Sequence, residues 1–154
     1  MPNETAELTF IRTYHAPRSL VFKMWIDPKH FTQWWGPHQF TTPVCRLEVF
    51  TGGNIYIEMR GPSGDVYPMS GTFNEITPPE KIVFTSTPLD ENKKPMFETV
   101  TTVTFTEQHG LTTMKLHTRV AMSTSAAAPH LAGMNEGWIQ TLDRLDEIVK
   151  KNVL

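Results

Sequence analysis

The strongest hydrophobic pattern lies towards the end of the chain. From Ala126 to Lys151, apolar side chains recur at Leu131, Met134, Trp138, Leu142, Leu145 and Val149. Steps of three and four put them on one stripe of a helix. Glu136, Gln140, Asp143, Arg144, Glu147 and Lys150 occupy the opposite face. Asp146 and Lys150, like Glu147 and Lys151, stand four apart with the acid first, the favourable order on a helix. Lysines in the last turn suit the negative end of the helix dipole.

Before this helix, nearly every pattern has period two. Leu8 to Tyr14 alternates and is rich in β-branched residues, which predicts a strand and leaves residues 1–6 as a loose N-terminus. Ala16-Pro17 ends it. Leu20, Val21, Met24 and Trp25 then follow at helical spacing up to about Ile26. Asp27-Pro28 opens a second short helix with Asp27 as its N-cap, which carries Phe31, Trp34 and Trp35 and stops at Gly36-Pro37. Strands are predicted over Val44–Phe50, around Ile55–Met59, and over Val66–Ile76, with Gly71 a bulge or bend. Further strands cover Lys81–Thr87, Phe97–Thr106 and Leu111–Met122. Turns at Thr51-Gly52-Gly53-Asn54, Gly61 to Asp65, Thr77 to Glu80 and Gln108-His109-Gly110 separate them, along with a polar loop from Pro88 to Pro95. In the last strand Met114, Leu116, Thr118 and Val120 oppose Lys115, His117 and Arg119, so the sheet has one dry face and one wet face. The order predicts an α+β fold: a curved antiparallel sheet, two short helices after its first strand, and a long C-terminal helix covering the dry face. A sheet curled around one helix readily leaves a hollow between them.

Composition narrows the function. The 154 residues suit a single domain, 1–154, with its own core. Net charge is −2 with the signs interspersed, so no basic stripe points to nucleic acid. No apolar run nears the roughly 20 residues that span a bilayer. Cys45 stands alone and cannot form an internal disulfide, which fits a cytoplasmic setting. Four Trp, nine Phe and eight Met supply large side chains that fill a core or line an apolar pocket.

Catalytic and metal motifs are sparse. His15, His30, His38, His109, His117 and His130 show no paired ligand spacing, so no metal and no cofactor are expected. Cys45 reads as a small core residue rather than a nucleophile. Glu58, Glu98, His38 and His117 are the acid–base candidates. Alternation turns Glu58 and His117 towards solvent, while Glu58 and Glu98 are placed to meet across the sheet.

Several short motifs resemble one known family. Arg12, Ala16-Pro17 with Val21-Phe22, and Trp25 with Asp27-Pro28 resemble the opening of the SRPBCC proteins, also called START-like or Bet v 1-like helix-grip proteins. Trp34-Trp35-Gly36-Pro37 resembles a signature of the branch named for the activator of heat shock protein 90 ATPase homologue. Gly52-Gly53, Gly61-Pro62 to Asp65, Gly71, Pro78-Pro79, and Gly137-Trp138 with Leu142 and Leu145 continue the match, which spans about Leu8 to Val149. One departure stands out: the branch's Asp-x-Arg-x-Gly-Gly pattern has its arginine replaced here by Val49 or Phe50.

The resemblance implies a helix-grip fold with a cavity under the long helix. It places Met24, Phe31, Trp35, Met59, Met69, Phe73, Phe84, Met122, Met134, Trp138 and Leu142 between helix and sheet, as pocket lining or as core. His38 follows the Trp-Trp-Gly-Pro signature near the expected cavity mouth and is the best single polar candidate. The leading expectation is a module that binds a small hydrophobic or aromatic ligand. One alternative is a co-chaperone-like domain that binds a chaperone partner in a stress response. The other is a cyclase or hydrolase whose inward polar groups would be Glu58, Glu98 and His38. Either a monomer or a homodimer fits the sequence.

Overall fold

In a computed structural model that describes residues 7–124 and 131–153, the dry-face alternation becomes a seven-stranded antiparallel curved sheet. Its strands are β1 (Glu7–Tyr14), β2 (Thr41–Leu47), β3 (Asn54–Arg60), β4 (Val66–Thr77), β5 (Lys81–Pro88), β6 (Phe97–Gln108) and β7 (Leu111–Ser123). Strand order is β1-β7-β6-β5-β4-β3-β2. Strands β2 to β7 are thus a simple meander, and β1 joins it beside β7, with Glu7 opposite Arg119 and Tyr14 opposite Thr112. Because β1 and β2 lie at opposite edges, the chain crosses one end of the sheet between them. Helices α1 (Arg18–Ile26) and α2 (Pro28–Trp34) make that crossing. Asp27 caps α2, its side chain accepting from the Lys29 amide at 3.0 Å. Helix α3 (Met134–Asn152) lies over the concave face.

The helix-grip architecture is the one expected, and three local differences have physical causes. Strand β2 begins and ends three residues earlier than its apolar pattern indicated. It is an edge strand that tolerates Pro43 beside a register shift between Thr41 and Val44. Its end is set by Glu48, whose carboxylate accepts from the Asn54 amide at 2.8 Å and starts the turn, leaving Val49 and Phe50 exposed. The β4 bulge falls between Phe73 and Glu75 instead of at Gly71. Gly71 serves a close approach: a Cβ there would collide with the Thr85 carbonyl oxygen. Helix α3 starts at Met134, after Leu131 and Ala132 in a short helical stretch and a turn at Gly133. The predicted start at Ala126 lies outside the described residues.

The core sits between α3, the α1–α2 corner and the concave face. Leu142 and Leu145 of α3 are fully buried, with Ile148 and Val149 nearly so. They belong to one hydrophobic cluster with Met114, Leu116, Val103 and Phe105. A fully buried Leu-sized side chain contributes about 1.5–3 kcal/mol. Two polar contacts fix the helix in place. Arg12 of β1 donates to Asp143 at 3.0 Å and to Asp146 at 2.6 Å, so Asp146 is engaged across the fold and not with Lys150. Glu147 meets Lys150, three residues on, at 3.9 Å. Burial, reinforced by the Asp146 charge, raises the Tyr14 phenol above its ordinary range beside this clamp.

Candidate functional site

The first half of α3 does not touch the sheet as its second half does. Between them lies a cavity of about 500 Å³, within the roughly 300–1,000 Å³ typical of small-molecule sites. Its floor follows from strand alternation. Ile57 and Met59 of β3 face inward, Met69 of β4 is paired with both Ile57 and Pro88, and Ser86 of β5 pairs with Thr99 of β6. Its roof is a helical stripe of Met134, Gly137, Trp138 and Thr141. Leu89, Met96 and Phe97 close one side, and the segment from Trp35 to Phe40 closes another.

That last wall is held by an arginine that the helical pattern assigned to the outer face. Arg144 donates to the carbonyls of Gln33 (3.1 Å), Trp35 (3.4 Å), Gly36 (2.9 Å) and Pro37 (3.0 Å). These are carbonyls at and just beyond the C-terminal end of α2, where a cation is favoured. Burial lowers the Arg144 pKa. Gly36 has φ +101, and a Cβ there would press on Met59 Sδ at 2.9 Å, so glycine lets the wall lie against the cavity. Trp35 stacks on Phe31 at 4.8 Å and meets Trp138 edge-on at 5.6 Å, linking wall to roof.

The lining is apolar with a few hydroxyls. Ser86 and Thr99 share a hydrogen bond of 2.7 Å, and Thr141 donates to the Gly137 carbonyl at 2.8 Å. Among the described residues that line the cavity, none carries a formal charge, and Tyr67 is the sole titratable one. A smaller void of about 20 Å³, room for one water, lies against Trp25, Phe31, Phe73 and Phe84 and shares Trp35, Ile57 and Met69 with the large cavity.

The residues singled out from the sequence fall into four places. Trp35, Met59, Met69, Met134 and Trp138 line the large cavity. Phe31, Phe73 and Phe84 line the small void. Met24 and Leu142 are fully buried core residues and line neither. Met122 is 38% exposed near the end of β7, and His38 is exposed, its amide donating to the Gln140 side chain at 3.1 Å. The acid–base candidates line neither hollow. Glu58 accepts from the Tyr56 hydroxyl at 2.6 Å, and Glu98 accepts from Thr87 at 3.5 Å. Strands β4 and β5 stand between the strands that bear these two glutamates, so they do not meet. His117 is half-buried and pairs with Glu7 at 3.2 Å. Cys45 is half-buried on β2, and burial pushes its thiol from 9.0 up to about 11. His130 lies outside the described residues. Ser86, Thr99, Thr141 and Gly137 also line the cavity, and none of them is among the pocket residues expected from the sequence. A signal was available for the first two, since each continues the inward alternation of its strand, Ile82–Phe84–Ser86 and Phe97–Thr99–Thr101.

Comparison with known proteins agrees with this geometry. Curated proteins give no significant match. Among solved structures, a protein from Arthrobacter aurescens superposes with a TM-score of 0.82 at 23% identity, covering 96% of this chain and 87% of its own. The AHSA1 protein from Silicibacter pomeroyi gives 0.80 at 21%, covering 96% and 100%. A protein from Nitrosomonas europaea gives 0.76 at 24%, covering 94% of each. At these identities the likenesses establish the fold. A family model described as activator of Hsp90 ATPase homolog 1-like protein matches residues 15–150, and the chain belongs to that family.

Proposed function

We propose that this protein binds a small, largely apolar molecule, aromatic or aliphatic, in the cavity beneath the first turns of α3. The observation that carries the reading is the cavity itself: about 500 Å³ walled by Trp35, Trp138, Phe97 and four methionines. Methionine and aromatic side chains adapt to apolar ligands with little loss of packing. Burying the apolar surface of a two- or three-ring molecule there yields roughly 25 cal/mol per Å² before association costs. The neutral fluorophore N-phenyl-1-naphthylamine tests it. Saturable binding that is lost in Gly137→Leu, where a side chain grows into the cavity, supports the reading. Absence of binding together with a clean unliganded mass in native mass spectrometry of protein purified from its own host sinks it.

Membership of the family favours a second reading, a co-chaperone-like domain that docks on Hsp90. Pull-down with Hsp90 and an ATPase assay separate the two, because a docking role predicts stimulation that no cavity-filling substitution alters.

A further inference from the structure

The cavity has a polar spot with a defined hydrogen-bonding capacity. Ser86 and Thr99 sit side by side on adjacent strands, and Thr99 is 6% exposed. Their hydroxyls bond to each other at 2.7 Å, and either oxygen can be the donor. Two hydroxyls carry two protons, and the shared bond uses one. The second proton has no protein acceptor among the described residues. The pair can therefore donate one hydrogen bond to a molecule in the cavity, and its lone pairs can accept one in return. Thr141 above adds acceptor capacity only, because its own proton goes to the Gly137 carbonyl.

The same site offers nothing to a charge. No Lys, Arg, His, Asp or Glu among the described residues lines the cavity. The cation nearest the wall, Arg144, directs its donors to the carbonyls of Gln33, Trp35, Gly36 and Pro37. An ionised carboxylate or ammonium buried against this lining would meet only neutral dipoles among the described residues, which is strongly unfavourable.

Resting on the cavity being a ligand site, we infer that Ser86 and Thr99 are its specificity-determining residues, selecting an electrically neutral ligand with one carbonyl, amide or hydroxyl group at the end of an apolar body. The hydroxyl pair orients that group. The uncharged lining excludes the corresponding acid or amine.

Displacement of N-phenyl-1-naphthylamine by four matched probes at neutral pH tests the inference: naphthalene, 2-naphthol, 2-naphthamide and 2-naphthoate. The amide and the carboxylate share one shape and differ in charge. 2-Naphthol and 2-naphthamide are expected to bind about fivefold or more tighter than naphthalene, the yield of one buried hydrogen bond. 2-Naphthoate is expected to bind at least ~100-fold more weakly than the amide, as an unpaired buried charge requires. Thr99→Val keeps side-chain shape, and the double variant Ser86→Ala/Thr99→Val removes both partners together, which leaves no orphaned group. In the double variant the advantage of naphthol and amide over naphthalene should vanish while naphthalene itself still binds. If naphthoate binds as well as naphthamide, or the advantage survives the double variant, the inference is overturned and the apolar-cavity reading stands. If N-phenyl-1-naphthylamine binds but none of the four probes displaces it, the inference falls alone; if the fluorophore itself does not bind and native mass spectrometry shows a clean unliganded mass, both fall.

Discussion

The two halves of α3 do different things with one hydrophobic stripe. From Leu142 to Val149 the stripe is Leu142, Leu145, Ile148 and Val149, each at most 7% exposed and packed into the core. From Met134 to Thr141 it is Met134, Gly137, Trp138 and Thr141, spaced by the same helical rule but set over the cavity. The difference lies in what each half faces. The second half meets the α1–α2 corner and β1, where Arg12 pairs with Asp143 and Asp146. The first half meets β3 to β6, where the inward positions hold Ser86, Thr99 and methionines and the helix itself contributes a glycine. Periodicity reports that a face is turned inward. It does not report whether the inward space is filled.

The largest expected break in this comparison is at the filled end. Leu145→Ala should cost about 3 kcal/mol in urea denaturation, the usual result of leaving a cavity at a fully buried leucine. Probe affinity should be unchanged, because Leu145 does not line the site. Arg144→Met comes next. It removes hydrogen bonds to four carbonyls and should cost about 2 kcal/mol by the same measurement. Unlike Leu145→Ala, it should also weaken probe binding, since the Trp35–Phe40 wall loses its anchor. Arg144→Lys is expected to restore little, because an ammonium cannot span carbonyls placed for a planar fork.

Gly137→Ala reverses the usual sign of a mutation. A Cβ there meets only Pro37 Cγ at 4.0 Å, so the methyl group fits, and Ala in place of Gly inside a helix should stabilise by about 1 kcal/mol. The same methyl narrows the roof, so probe affinity should drop while thermal stability rises. Equal affinity in that variant would mean that the ligand does not reach the helix. The last prediction concerns Cys45 and shows only at alkaline pH. Its thiol is raised from 9.0 to about 11 by burial, so the folded state holds the proton more tightly. The corresponding stability is present below pH 9 and declines as pH climbs towards about 11. Urea titrations across that range should show a shallower alkaline loss in Cys45→Ala than in wild type, with little change in probe binding.

Most of the fold was legible because its signals are local. Asp27-Pro28 carries its own cap, the Gly-containing turns carry their own geometry, and the alternation of β7 separates the wet and dry faces without reference to any other strand. The site was legible only in part. Trp35, Met59, Met69, Met134 and Trp138 were placed between helix and sheet, as lining or as core, by the resemblance to the helix-grip proteins, and they line the cavity. Met24 and Leu142 belong to the same class of residue and sit in filled core, a distinction set by neighbours distant in sequence. Arg144 reads as a surface residue on any helical wheel, and its role depends on where α2 happens to end. Ser86 and Thr99 carry no motif, and inward alternation alone does not separate them from Thr101 and Thr118, which bond to each other in filled core.

The position of β1 has a consequence for the time course of folding. Strands β2 to β7 each pair with a chain neighbour, so the meander can zip up through successive hairpins of low contact order. Strand β1 must wait for β7, about a hundred residues away, and the Arg12 clamp on α3 forms only with it. The cavity beneath α3 is therefore expected to take shape late in folding. A bound molecule should then act as a brake on unfolding more than as a guide to folding. In stopped-flow chevrons it should lower the unfolding arm and leave the refolding arm nearly where it was.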